Sequence, residues 1–153
     1  MSAKICFLIG HRDTPEEVFP LLRETVTRYI TEYGVTEFLV GHYGSFDRMV
    51  KNAVLAAKQE FPQVRLTLLL PYYSPEKPAD IPPGFDGTLY PPDMEKVPKR
   101  LAIVRANRYA VSVSHYLIAY VSHPASNAWE ILDAALRREQ KGLIHIENLA
   151  QPK

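Results

Sequence analysis

The sequence has little of several features that would assign a function class at once. Its 153 residues contain one cysteine, Cys6, so no disulfide can form within the chain. No stretch approaches the roughly 18 consecutive apolar residues that a bilayer-crossing helix needs. Formal net charge is +1, which gives no global pull toward nucleic acid or anionic lipid, and there is no long Lys/Arg stripe. No H-x-x-x-H pair, G-x-S-x-G nucleophile elbow, internal repeat or low-complexity tract occurs. The first apolar run ends at Arg12 and Asp13 with no cleavage site after it, so a signal peptide is not expected. Cys6, inside Ile5-Cys6-Phe7-Leu8-Ile9, reads as a buried, inert thiol in a reducing cytoplasm. No metal, no membrane and no resident cofactor are expected.

Hydrophobic residues make up 46% of the chain and charged residues 23%, the balance of one globular domain, placed at 1–150. Apolar runs alternate with helical segments. Lys4 to Ile9 reads as a buried strand. Thr14-Pro15-Glu16-Glu17 then supplies helix-start chemistry, with Thr14 as cap, and Gly34 suits the stop. Thr36 to Val40 reads as a second strand, Ser45 as the cap of a second helix, and Arg65 to Leu70 as a third strand. In residues 74–95, six prolines with Gly84 and Gly87 exclude a regular helix or strand. That insertion, bounded at 74–97, reads either as a lid over a ligand or as simple surface packing. A helix from Pro98 to Val113, a strand from Tyr116 to Val121, a helix opened by a capping box at Asn127 to Glu130, and a short strand from Leu143 to Ile146 complete the pattern. Near-continuous apolar strands between helices imply an α/β, Rossmann-like three-layer α/β/α sandwich with a mainly parallel sheet of about five strands.

In such sheets ligands bind outside the carboxyl ends of the strands, near the point where the strand order reverses. Those ends here carry Gly10-His11-Arg12, Gly41-His42-Tyr43-Gly44-Ser45, Pro71-Tyr72-Tyr73 and Ser122-His123-Pro124. Glycines let a backbone approach a ligand, and a following helix offers unpaired N–H groups to an anion. A tight turn accounts for the same glycines equally well. Arg12 is a candidate phosphate partner or a solvated arginine. Arg105 and Arg108, at i,i+3 spacing on one helix, could meet a phosphate or face solvent. Ser126-Asn127-x-x-Glu130 could contact ligand or merely cap a helix. His11, His42 and His123 would come together if their strands were neighbours.

Taken in order, Cys6-Phe7-Leu8-Ile9-Gly10-His11-Arg12-Asp13, Gly41-x-x-Gly44-Ser45-Phe46-Asp47-Arg48-Met49, Leu70-Pro71-Tyr72-Tyr73, Tyr90-Pro91-Pro92, Lys96-Val97-Pro98-Lys99-Arg100, Arg105-x-Asn107-Arg108 and the run from Tyr116 to His123 resemble the YpsA-like branch of the SLOG superfamily, which also contains the DprA and Lonely-Guy proteins. The resemblance implies a domain that binds nucleotides, nucleotide sugars or related ligands, often as a sensor, and relatives that commonly dimerise. Lonely-Guy relatives hydrolyse a nucleoside monophosphate. Against that pattern, the arginine before Asn107 is Ala106, the Gly-Gly of the last ligand loop is Ser126-Asn127, and the enzymes' Thr and Glu fall at Ile131 and Asp133. An acidic residue usual before the fourth strand is His115.

The expected function is therefore binding or sensing of a nucleotide-derived small ligand, through Gly10, His11, Arg12, Gly41, His42, Tyr43, Gly44, Ser45, Phe46, Asp47, Tyr72, Arg105, Asn107, Ser122, His123, Ser126 and Asn127. The alternative is a nucleoside monophosphate phosphoribohydrolase using Arg108 with Glu130 or Asp133. Single-stranded DNA binding, suggested by the DprA kinship alone, conflicts with the near-neutral charge. A homodimer is the expected assembly.

Overall fold

In the computed structural model of the chain, residues 3–42, 44–71, 82–124 and 126–150 are described. The strands are β1 (Ile5–Gly10), β2 (Glu37–Val40), β3 (Arg65–Leu69), β4 (Gly87–Leu89), β5 (Tyr116–Tyr120) and β6 (His145–Asn148). The helices are α1 (Phe19–Tyr33), α2 (Ser45–Lys58), α3 (Lys99–Val113) and α4 (Asn127–Gln140). All strand pairs are parallel, in the order β4-β3-β2-β1-β5-β6. The chain thus walks outward from β1 to β4, returns across the sheet to β5, and continues to β6. The strand order reverses between β1 and β5.

Alternation along β1 divides the core into two layers. Cys6 and Leu8 pack with Val26, Tyr29, Met49, Val50 and Val54 of α1 and α2 on one face. Phe7 and Ile9 pack with Ala106, Ala110, Ile131 and Ala135 of α3 and α4 on the other. Both faces are covered, which is why the strands read as continuous apolar runs rather than as alternating ones. The Cys6 thiol is fully buried, and burial pushes its pKa well above the ordinary thiol value. Among the described residues no helix is long and apolar enough to cross a membrane.

Four local expectations need correction. Among the described residues the sheet has six strands rather than about five, the additional one being β4 within the proline-rich stretch. Three residues suffice there because the strand lies at the sheet edge, with prolines flanking Gly87 to Leu89 rather than interrupting them. Asp86 pins its start: Oδ2 accepts from Leu66 N at 2.7 Å and from Lys58 Nζ. Secondly, Thr14 does not cap α1; its hydroxyl donates to the His11 carbonyl at 2.7 Å, and a 3₁₀ turn over Glu16–Val18 leads into the helix. Thirdly, Gly44 occupies the cap position of α2, whereas the Ser45 hydroxyl donates to Thr14 O at 2.7 Å. At α4 the cap is Ser126, whose Oγ accepts from Trp129 N at 3.1 Å, one residue before the expected Asn127. The αL stop at Gly34, with φ of 72°, is as expected.

Candidate functional site

The carboxyl end of the sheet opens into a cavity of about 650 Å³. Its floor is apolar: Phe7, Leu8 and Ile9 of β1, Leu69 of β3, Ile103 and Ala106 of α3, and Ala128 of α4. Its rim is polar: His11, Arg12 and Asp13 after β1, Asp47 in the first turn of α2, Asn107 on α3, and His123, Ser126 and Asn127 before and within the first turn of α4. The backbone of Gly10, Gly41 and Gly44 completes the rim, with Pro71 beyond β3. The cavity sits at the β1–β5 reversal, where open parallel sheets place their ligands.

Two glycines make this geometry sterically feasible. A Cβ on Gly10 would lie 2.4 Å from the Phe46 ring, and one on Gly44 would lie 2.7 Å from Arg12 Cα. The loop after β1 and the start of α2 are therefore in van der Waals contact through missing side chains. Two hydrogen bonds tie the same loops: Ser45 N to Arg12 O at 2.8 Å and Ser45 Oγ to Thr14 O. The N-termini of α2 and α4 both reach the rim, where their positive dipole ends favour negative charge. Arg12 is the one Lys or Arg among the described lining residues. It forms no ion pair or hydrogen bond with another described side chain. Asp13 and Asp47 oppose its charge.

His11 is 6% exposed and joins the two loops of the reversal. Its Nε2 accepts the Ser122 N–H at 2.9 Å, and its carbonyl accepts Thr14 N and Oγ1. His123 stacks on it, with centroids 4.0 Å apart and planes 5° from parallel, while Tyr120 meets it edge-on. Burial, and then the neighbouring His123, lower the His11 pKa below the ordinary imidazole value, with Asp13 opposing.

Ten of the anticipated residues meet at the cavity: Gly10, His11, Arg12, Gly41, Gly44, Asp47, Asn107, His123, Ser126 and Asn127. Others do not line it. Phe46 is 1% exposed and turned into the core beneath Gly10. Ser45 serves the loop junction, and Ser122 acts through its backbone. His42 is exposed, its ring edge-on to Phe85 at 6.5 Å, so the three imidazoles do not converge although their strands are neighbours. Arg105 and Arg108 occupy the exposed side of α3. Glu130 is exposed, and Asp133 pairs with Arg137 at 3.1 Å. Tyr43 and Tyr72 lie outside the described residues. None of residues 82–97 lines the cavity, so the described part of the insertion packs at the sheet edge rather than over the opening.

Asp13, Leu69, Ile103 and Ala128 are wall residues not anticipated from the sequence, in which Ala106 stands out only as a departure from the family pattern. The signal for α3 was its periodicity: Ile103, Ala106, Asn107 and Ala110 share the face toward the sheet, which excludes Arg105 and Arg108 from it.

The sequence matches no protein-family model and no curated protein. In three dimensions it is similar to the Moco carrier protein of Chlamydomonas reinhardtii, with a TM-score of 0.55 and 14% identity over 97% of this chain and 92% of that one. A second structure of the molybdenum cofactor carrier protein from the same organism gives a TM-score of 0.55 and 17% identity over 96% and 92%. The fold is shared. At these identities the likeness concerns the α/β architecture from end to end.

Proposed function

We propose that the chain binds a nucleotide-derived small ligand in the cavity at the β1–β5 reversal, as a binder or sensor rather than as a hydrolase. The observation that carries this reading is the cavity itself: an apolar floor, a rim that carries Arg12 and two helix N-termini, and a volume of about 650 Å³. Small-molecule sites typically fall within roughly 300–1,000 Å³ and combine apolar walls with few polar groups. A heterocycle fits the floor between β1 and α3, and a phosphate fits the rim beside Arg12 and the first turns of α2 and α4. The likeness of the Gly10 and Gly44 loops to the YpsA-like branch supports the same ligand class. The solved neighbours are carriers of the molybdenum cofactor, which supports a carried or sensed ligand in this fold.

Hydrolysis would need a charge-stabilising group and an acid or base at the ligand. Arg108, Glu130 and Asp133 lie off the wall, and Ala106 brings no charge to it. Isothermal titration with AMP, GMP, NAD, ADP-ribose and molybdenum cofactor tests the reading. Saturable one-site binding of at least one is expected, with AMP left intact on prolonged incubation. Absence of binding at millimolar concentration across that panel overturns it.

A further inference from the structure

Among the described groups around the cavity, one buried side chain has a polar atom left over that could select a ligand's heterocycle. His11 is nine-tenths buried and lines the cavity. Its Nε2 lone pair is used by the Ser122 N–H, which requires the neutral ring to carry its proton on Nδ1. Nδ1 has no hydrogen-bond partner among the described residues. His123 covers one ring face, and Tyr120 approaches edge-on. The ring is therefore held in orientation and tautomer by its surroundings, with a single donor unused.

We propose that His11 Nδ1–H is a specificity-determining donor, which takes a carbonyl oxygen or an unprotonated ring nitrogen of a heterocycle seated on the apolar floor. This rests on the cavity being a nucleotide-type binding site. A donor of this kind discriminates by chemistry rather than by size. A ligand edge that presents N–H to His11 leaves two donors facing each other above an apolar floor, which is costly. An edge that presents a lone pair completes the ring's hydrogen bonding. Stacking with His123 keeps the donor aimed, and the Ser122 N–H prevents the tautomer from switching.

The same arrangement makes binding sensitive to acid. A proton on Nε2 would face the Ser122 N–H and set two hydrogen-bond donors against each other. The charged and titratable groups around the ring are His123, Asp13, Arg12 and Tyr120. Asp13 alone favours the imidazolium. His123 and burial disfavour it. The neutral donor consequently persists to lower pH than that of an ordinary histidine, and its contribution to affinity is lost when His11 itself titrates.

Two isosteric variants separate the donor role from the structural one. In His11→Gln the side-chain amide oxygen can accept the Ser122 N–H, but no donor occupies the Nδ1 position. In His11→Asn a donor occupies the Nδ1 position, but the Ser122 N–H loses its acceptor. Each variant and the wild type are titrated with AMP, GMP, NAD and ADP-ribose between pH 5 and 8, and Tm is recorded alongside. With the best-binding nucleotide, His11→Gln is expected to lose about tenfold in affinity at near wild-type Tm. His11→Asn is expected to lose less affinity but more Tm, and with NAD and ADP-ribose, whose phosphates keep their charge across this range, only the wild type should show an acid-side fall in affinity. Equal affinity and the same pH profile in wild type and His11→Gln would overturn the donor role while leaving the binding site intact. Affinity that tracks Tm across both variants would overturn it in favour of a purely structural histidine. No binding by the wild type would overturn the functional reading, and this inference with it.

Discussion

At the amino end of the β1–β5 pair, His115 Nδ1 accepts the Ile5 N–H at 3.1 Å; at the carboxyl end, His11 Nε2 accepts the Ser122 N–H at 2.9 Å. The same hydrogen bond thus closes the pair at both ends, but the surroundings differ. Around the amino end, Tyr29, Tyr33, Tyr116 and His145 fill the space with rings, Tyr33 stacking on Tyr116 at 5.2 Å and Tyr29 meeting Tyr33 edge-on at 4.8 Å. The Tyr29 hydroxyl donates to Glu147, which also holds Arg28 at 2.7 Å, so α1 is fastened to the edge strand β6. At the carboxyl end, side chains are withheld. Gly10, Gly41 and Gly44 stand where the loops meet, and the volume that rings occupy below is left as a cavity above. One end of the sheet is used to hold the fold together, and the other to keep a space open.

Substitutions should expose that division. The largest effect is expected from Phe46→Ala, which empties the core beneath Gly10; a loss of about 3–5 kcal/mol in urea unfolding is expected, with ligand binding lost as the loop relaxes. Glu147→Ala leaves the buried Tyr29 hydroxyl without its acceptor and Arg28 without its partner. It should cost about 2 kcal/mol and leave ligand affinity unchanged, because the effect is confined to the ring-filled end. Gly44→Ala forces a Cβ against the Arg12 backbone; a loss of roughly 1–3 kcal/mol is expected, together with weakened nucleotide binding. Arg12→Ala should behave oppositely, with Tm unchanged and affinity for phosphorylated ligands lower by about tenfold.

The smallest effect concerns acid. Burial raises the Asp86 pKa, but the hydrogen bonds from Lys58 and the Leu66 N–H, with the charges of Lys58 and Arg65, outweigh it and hold the pKa below the ordinary aspartate value. The unfolded state therefore binds a proton first as pH falls. Asp86 contributes stability that is present above the ordinary aspartate pKa of 3.8 and is lost as pH falls through its lowered value. An Asp86→Asn variant should show a shallower acid-side slope in stability than the wild type.

Four of the six described strands and all four helices were legible in the sequence, because each carries an uninterrupted period of its own kind over at least four residues; the last strand, expected at Leu143 to Ile146, lies two residues later at His145–Asn148. The strand that was not, β4, has three residues and a glycine, and its position is set by Asp86 reaching back to Leu66 and Lys58, a contact no local pattern announces. Helix caps were misread at Thr14, Ser45 and Asn127: the Thr14 hydroxyl turns back to the His11 carbonyl within its own loop, the Ser45 hydroxyl crosses to Thr14 O, and Ser126 caps α4 one residue early. The cavity was legible where its chemistry lies in strand-end loops, as at Gly10 to Arg12 and Gly44. The α3 wall was less so. Asn107 was singled out by family resemblance, but Arg105 and Arg108 drew attention by charge while the helix turns Ile103 and Ala106 inward.

A nucleotide titration followed by amide chemical shifts of the wild-type protein tests the division between the two ends most directly. Saturable shifts are predicted for Gly10 to Asp13, Gly41, Gly44, Asp47, Asn107, Ser126 and Asn127, with the amides of Tyr29, Tyr33, Tyr116 and His145 unmoved. Shifts concentrated around the tyrosine cluster, or none at the glycine-bearing loops at millimolar nucleotide, would contradict the account.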